Sequence, residues 1–477
     1  MGLLFLGGGS PGCVTAQEVG AEWIDERIVI SENKRFLQYE SGEPFFWLGD
    51  TGWLLFERLT REETGRYLTN RMLKGFNVIQ CVVVHSLPLA NAYGDSAFVD
   101  SDISRPVVTP GNLPSDPHQY DFWDHIDFVI DQAAKNGIRL ALIPIWGSVA
   151  IRATNTEGKI AAYARWLGKR FGSKPNIFWM NGGDIQGSRR PEIWNAIGSS
   201  LRSVDSLHLI TFHPFGRTQS STWFHTEPWL DFNMFQSGHR RYDQIRGDRP
   251  ETWKGEDNWR YVIEDYAKLP PKPTLDGEPS YENIPQGLHD TTQPYWTASD
   301  CRRYAYWSVF AGSCGHTYGD NAVMQMFRPQ DTVRSYGARN YWYDALDDPG
   351  SFQMQYVARL VLSRPYFERV YDSTLVVDQS KRYDFVVAAR GKSYLFAYTY
   401  TGRPFSIRMG EISGSEVQAY WFDPRSGTSQ EIGKMKNSGI VRLQPPGIQH
   451  NGNDWVLVFD DASKQYPLPG KQIQNPK

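Results

Sequence analysis

NIFWMNGGD, residues 176–184, is a short apolar run that closes on an asparagine, two glycines and an acid. A run of this length, bounded by Pro175 and by glycines, reads as a buried strand whose last residue leaves the sheet. The same pattern recurs 94 positions on in KPTLDGE (272–278), where Glu278 stands just past another apolar run. Six further runs share it: PFFWLGD (44–50), NVIQCVVVH (77–85), RLALIPIW (139–146), HLITFHP (208–214), DFNMFQ (231–236) and GSCGHTYG (312–319). Helical patterns lie between them, the signature of βα units on a parallel sheet. Eight such units predict a (β/α)8 TIM barrel. An open doubly wound sheet would carry a glycine-rich nucleotide fingerprint after its first strand, and none follows here.

The helix limits are legible from their caps. Thr60-Arg61-Glu62-Glu63 is a capping-box pattern opening a helix that ends near Lys74-Gly75. A second pattern, from Phe122 to Lys135, places Ile126, Val129, Ile130 and Ala133 on one face and stops at Asn136-Gly137. Pro191 suits the first turn of the fourth helix. Ahead of the barrel, residues 27–46 read as a hairpin turning near Glu32-Asn33-Lys34, either plugging the barrel floor or packing beside it. SFQMQYVARLVLSR (351–364) reads as the last barrel helix. From about residue 370 the texture becomes short strands and polar turns, as in DFVVAA, SYLFAYTY, EVQAYWFD and DWVLVFD, which predicts an antiparallel β-sandwich. The expected division is a leader over 1–16, a barrel over 22–368, a sandwich over 369–463 and a loose tail over 464–477.

Composition narrows the function. The 477 residues carry a net charge of -3, with no basic concentration to suit nucleic acid or an anionic membrane surface. Aromatic residues make up 14%, including 17 Trp and 25 Tyr, and aromatic faces suit the apolar faces of sugar rings. GLLFLGGG (2–9) with the small residues Val14-Thr15-Ala16 reads as a leader, so export to the periplasm or cell surface is expected. No later stretch is long and apolar enough to span a membrane. Of four cysteines, Cys13 lies in the leader; the other three, Cys81, Cys301 and Cys314, are expected to be buried free thiols, with a Cys301–Cys314 pair as the alternative.

In a TIM barrel the site forms at the C-terminal strand ends, so the strand count itself nominates its lining. Asp184 follows strand four and Glu278 strand seven. Two carboxylates across a barrel mouth are what hydrolysis of a glycosidic bond requires, one to protonate the leaving oxygen and one to attack or to activate water. Gly182 and Gly183 let the backbone turn so that a short aspartate reaches the site, and Pro279 stiffens the loop beyond Glu278. Read alone, Asp184 also suits a helix N-cap or a turn. Asp276 and Glu282 compete with Glu278, and strand alternation puts Asp276 and Glu278 on one face. The other strand ends offer Asp50, Trp53, His85, Trp146, His213, Gln236 with His239, His316, Tyr318 and Asn321 as candidate sugar contacts.

Taken together, FWLGDTGWLLFERLTREE (46–63), FWMNGGD, the His213-Pro214 pair, NMFQSGH (233–239), TLDGEPSYE and GHTYG (315–319) resemble the apiosidase-like barrel of glycoside hydrolase family 140. The C-terminal segment is similar to the β-domain that follows it, sometimes labelled collagen-binding. The resemblance implies removal of apiose from side chains of the pectic polysaccharide rhamnogalacturonan-II, by retention, with Asp184 matching the acid/base and Glu278 the nucleophile. The wider clan carries Asn-Glu after strand four, where this chain has Gly183-Asp184; Asn181 is a candidate to replace the missing asparagine. A retaining pair predicts carboxyls about 5–5.5 Å apart, a raised pKa for Asp184 and an ordinary one for Glu278, whereas inversion predicts about 6.5–9.5 Å. No cofactor and no metal are required, and the expected partner is an oligosaccharide or polysaccharide.

Two other classes compete. A metal-dependent barrel hydrolase would use His85, His213, His239 and an aspartate, but would show a paired-histidine motif after strand one, where Gly49-Asp50-Thr51 stands. A non-catalytic carbohydrate-binding protein would keep its properties with both acids neutralised. In the sandwich, Tyr420, Trp421 and Trp455 alternate as core residues would, and packing against the barrel is expected of them.

Overall fold

A computed structural model describes residues 26–244 and 254–471; the expected leader and Cys13 lie outside them. Eight parallel strands form the first sheet: β1 (Trp47–Thr51), β2 (Val78–Val82), β3 (Arg139–Ile143), β4 (Ile177–Ile185), β5 (Ile210–Pro214), β6 (Asn233–Gln236), β7 (Thr274–Asp276) and β8 (Gly315–Thr317). The ladder runs from β5 through β4, β3, β2 and β1 to β8, β7 and β6, and a two-residue antiparallel strand, Thr218–Gln219, borders β6. Between β5 and β6 the ring closes without a ladder. There Asp231 N–H donates to the Ile210 carbonyl at 2.9 Å and Thr211 Oγ1 to the Phe232 carbonyl at 2.8 Å.

Strand alternation sorts the side chains. Trp47, Val78, Val82, Ala141, Ile143, Phe178, Met180, Met234 and Leu275 pack together inside the barrel, where Trp47 of β1 meets Phe178 of β4 at 4.9 Å between ring centres. Ile79, Cys81, Leu140, Leu142, Trp179, Ile210 and Phe212 face outward into a core shared with the helices. The helix Arg61–Leu73 carries the expected capping box, with Thr60 Oγ1 accepting from Glu63 N–H and Glu63 Oε2 from Thr60 N–H. Phe122–Lys135 ends as predicted, and Pro191 opens the helix Pro191–Val204. The predicted hairpin gains a third strand: Ile28–Ile30 pairs with Leu37–Tyr39, which pairs in turn with Pro44–Phe45. Phe45 packs on Phe178 at 6.1 Å, so this sheet closes the floor and leaves the other end free for the site.

The C-terminal domain is a six-stranded antiparallel sheet built from β9 (Val370–Tyr371), β10 (Val386–Arg390), β11 (Tyr394–Thr399), β13 (Glu416–Phe422), β14 (Ser429–Lys436) and β16 (Trp455–Asp461), in the order β9-β10-β11-β16-β13-β14. A two-stranded ribbon, β12 (Phe405–Arg408) with β15 (Ile440–Leu443), completes the sandwich. One face of the large sheet covers the barrel: Phe396 stacks on Phe310 at 5.5 Å, Tyr398 on Tyr306 at 4.8 Å and Phe385 on Trp259 at 4.4 Å. Arg302 of the helix Ala298–Phe310 forks onto Asp454 at 2.7 and 2.8 Å, a buried bidentate pair that fixes the two domains in register. Tyr420 belongs to this barrel-facing layer, as expected. Trp421 and Trp455 do not; alternation sends them to the opposite face, against β12 and β15.

The tail is also tighter than predicted up to residue 471. Arg364 Nη2 donates to the Pro467 carbonyl at 3.1 Å and Gly470 N–H to Ser363 Oγ at 3.1 Å, tying it to the last barrel helix. Cys81, Cys301 and Cys314 are free and buried. Among the described residues no helix is long and apolar enough to cross a membrane.

Candidate active site

The acid after β4 is presented by a break in the sheet. β4 pairs with β5 as far as Gly182 opposite His213, then slips so that Ile185 stands opposite Pro214. Gly182, Gly183 and Asp184 fill the bulge with φ of 92°, 102° and 47°. At Gly182 a Cβ would lie 2.5 Å from the His213 carbonyl oxygen, and at Gly183 2.7 Å from the Trp146 ring. The close approach and the left-handed backbone together demand glycine at both positions, and aspartate is among the side chains that tolerate the left-handed region that follows. The bulge aims Asp184 into the mouth, as bulges beside active sites commonly do. The residue is exposed to solvent there, yet the surrounding protein crowds its carboxyl. This burial, reinforced by the negative charge of Glu278, raises its pKa to about 6 against the opposing pull of His213 and His239.

Glu278 is held differently. β7 stops at Asp276, Gly277 N–H donates to the Phe235 carbonyl at 2.9 Å, and Gly238 N–H donates to the Glu278 carbonyl at 3.1 Å, so the loop after β7 is stitched to the loop after β6. The Glu278 side chain is buried between two imidazoles. His239 Nε2 lies 3.0 Å from Oε1 and His213 Nε2 3.2 Å from Oε2. Each ring accepts a backbone N–H at Nδ1, from Tyr281 on His239 and from Asp184 on His213, both at 3.3 Å. That pattern puts the ring proton on Nε2, which in His239 is aligned on the carboxylate, while His213 Nε2 lies close to Oε2 outside hydrogen-bond alignment. Burial alone would raise the Glu278 pKa, but hydrogen bonding and electrostatic attraction from the two histidines overturn it and hold the group at about 2. The ordinary value expected for Glu278 is therefore corrected downward.

The competing acids have other work. Asp276 points to the helical layer, where it accepts from Ser237 Oγ at 2.6 Å and Asn258 Nδ2 at 3.0 Å; its burial raises it to about 6. Glu282 accepts from Tyr318 O–H at 2.6 Å and Gly350 N–H at 2.9 Å, and burial raises it to about 7.

Of the other predicted contacts, Trp53, His85, Trp146 and His213 come together. Trp53 meets His213 edge-on at 5.3 Å, Trp146 lies 5.5 Å from Trp53 and 6.2 Å from His213, and His85 flanks Trp146 at 5.4 Å. They form an aromatic wall beside Asp184, and burial lowers the pKa of His85, favouring its neutral form. Gln236 is buried near Gly216, whose backbone N–H favours the ionised form of Asp184, and its Oε1 has no partner among the described residues.

Four predicted contacts are corrected: Asp50, His316, Tyr318 and Asn321. Asp50 points away from the mouth to the helix Arg61–Leu73, accepting from Tyr67 O–H and Arg71 Nε, each at 2.6 Å. His316 stands one residue before Thr317, whose Oγ1 accepts from the interior Trp47 indole at 3.1 Å, so alternation turns His316 to the helical side, where burial lowers its pKa to about 3. Tyr318 is spent on Glu282. Asn181 does not replace the missing asparagine either, for its amide is buried against the Trp194 carbonyl at 2.8 Å. Asn321 bridges loop carbonyls.

The Asp50 correction carries its own test. Asp50 and Arg71 are both fully buried, and Asp50→Asn would leave the guanidinium without its counter-charge. It is expected to cost about 3–5 kcal/mol of stability. A urea titration reads the loss, while kcat/KM of the folded fraction stays within about twofold of the parent.

Two features of the mouth have no counterpart in the sequence pattern. His239 is nominated by its position, but nothing in the chain marks it as the partner of Glu278. Tyr336, in the loop after β8, experiences the charge of both Asp184 and Glu278, in a stretch with no periodic signal.

Comparison with known proteins follows the same division. A profile described as "Apiosidase-like, catalytic domain" matches residues 31–368, and one described as "Putative collagen-binding domain of a collagenase" matches residues 370–460. A solved structure described as a glycoside hydrolase is 44% identical, covering 93% of this chain and 99% of its own, with a TM-score of 0.88. Another, described as a glycoside hydrolase family 5 protein from Bacteroides vulgatus, is 43% identical over 94% of this chain and 96% of its own, also at 0.88. No protein of curated function matches.

Proposed function

The chain belongs to the apiosidase-like family of glycoside hydrolases, and from that premise we propose that it releases apiose from side chains of rhamnogalacturonan-II with retention of configuration. Glu278 attacks the anomeric carbon while Asp184 gives its proton to the leaving oxygen. Asp184, now a carboxylate, then takes a proton from water, whose oxygen displaces Glu278 and frees the sugar. The observation that carries the assignment is the divergence of the two acids. One carboxylate is kept ionised by two imidazoles, and its neighbour is pushed up to about 6, which is how one site holds a nucleophile and an acid together. Trp53, His85, Trp146 and Gln236 are assigned to the sugar, and the protein is assigned to the periplasm or cell surface, where such a polymer is met.

The test is a release screen on pectic oligosaccharides with identification of the liberated sugar. Apiose among the products supports the reading. Release of a different sugar only would keep the hydrolase and overturn its specificity.

A further inference from the structure

Tyr336 occupies a backbone conformation that tyrosine rarely takes, with φ 53° and ψ 29°. Strain of this kind costs on the order of 1–3 kcal/mol and persists only where the surroundings impose it. Here they do. Asn321 Nδ2 donates to the Tyr336 carbonyl at 2.8 Å, Gln325 Nε2 to the Ser335 carbonyl at 3.0 Å, and Gly337, itself at φ 62°, has no room for a side chain beside Thr291. The same Asn321 Nδ2 donates to the Asn283 carbonyl at 2.9 Å, and Arg339 Nη2 reaches Asn283 Oδ1 at 2.9 Å. The turn is thus clamped to the loop that carries Glu278.

A second chain of contacts locates the ring. Tyr336 packs on His289 at 5.4 Å between ring centres. Two residues before His289, Gly287 N–H donates to the carbonyl of His239 at 2.7 Å, and His239 is the residue that holds Glu278. The half-buried ring is thus held beside the loops that carry His239 and Glu278, and burial, with the negative charges of Glu278 and Asp184, raises the phenol's pKa, which keeps it a donor.

The geometry points to Tyr336 as a substrate-binding residue whose O–H donates to a hydroxyl of the sugar held between Asp184 and Glu278. This rests on the reading of those two acids given above.

Kinetics of Tyr336→Phe and Glu278→Gln on the pectic oligosaccharide that the parent cleaves provide the test, with melting temperatures measured alongside. Loss of one neutral hydrogen bond predicts that Tyr336→Phe lowers kcat/KM by roughly three- to tenfold, mainly through KM, with both limbs of the pH profile and the melting temperature unmoved. Calorimetric binding of the same oligosaccharide to Glu278→Gln should weaken by a similar factor when Tyr336→Phe is added. Parent-like kcat/KM in Tyr336→Phe would overturn the inference, as would a loss accompanied by a shifted pH limb, which would make the phenol a partner of the carboxylates. If Glu278→Gln itself stays active, the assignment of the acids fails instead, independently of Tyr336.

Discussion

Glu278→Gln is expected to lower kcat by on the order of 10⁴-fold or more, because the amide cannot form the bond to the anomeric carbon that divides the reaction into two steps. The substitution preserves shape, the amide oxygen still accepts from His239, and the loop after β7 keeps its backbone stitch to Gly238. Far-ultraviolet circular dichroism and the melting temperature should match the parent, which separates lost chemistry from lost fold. The variant should also change its neighbour. With the Glu278 charge gone, one of the two causes that raise Asp184 disappears, and the Asp184 carboxyl should titrate lower than in the parent. A variant that turns over within tenfold of the parent would remove Glu278 from the reaction.

Asp184→Asn is the second large effect, a loss of about 10²- to 10⁴-fold on a natural glycoside and a much smaller one on a substrate whose leaving group needs little protonation. The pH profile gives the sign. The parent needs Glu278 ionised, which holds above about pH 2, and Asp184 protonated, which is lost as pH rises through about 6. Activity should therefore plateau at acidic pH and fall towards tenfold per unit above about 6. In Asp184→Asn the basic limb should vanish, because the group that titrates there is gone. A basic limb that persists unchanged in the variant would place the acid elsewhere.

Both acids are legible in the sequence itself, and the reason is local. The strands are short runs that no helix could use, the caps at Thr60 and Asn136 mark helix ends, and a glycine pair ahead of an acid records a bulge directly. Where the pattern misleads, the missing information is which face a side chain takes. Asp50, His316 and Tyr318 all follow or sit within apolar strand runs, as His213 does, yet one step of strand alternation turns them to the helical layer, where Arg71 and Glu282 claim two of them. His239 and Tyr336 illustrate the opposite case. Both sit in loops whose course is set by contacts with distant segments, the Glu278 loop for one and Asn321 with Asn283 for the other, and nothing periodic announces such contacts. The depressed pKa of Glu278 belongs to the same class, since it arises from two imidazoles contributed by β5 and by the loop after β6.

The central claim is that a nucleophilic Glu278 and an acid/base Asp184 act on the same anomeric carbon. Proton NMR of the sugar at the moment of its release from a pectic oligosaccharide, recorded before mutarotation, tests it most directly. The account predicts a first-formed product with the anomeric configuration of the substrate. A first-formed product of opposite configuration would contradict it, because it would require water, activated by a carboxylate, to attack in a single step.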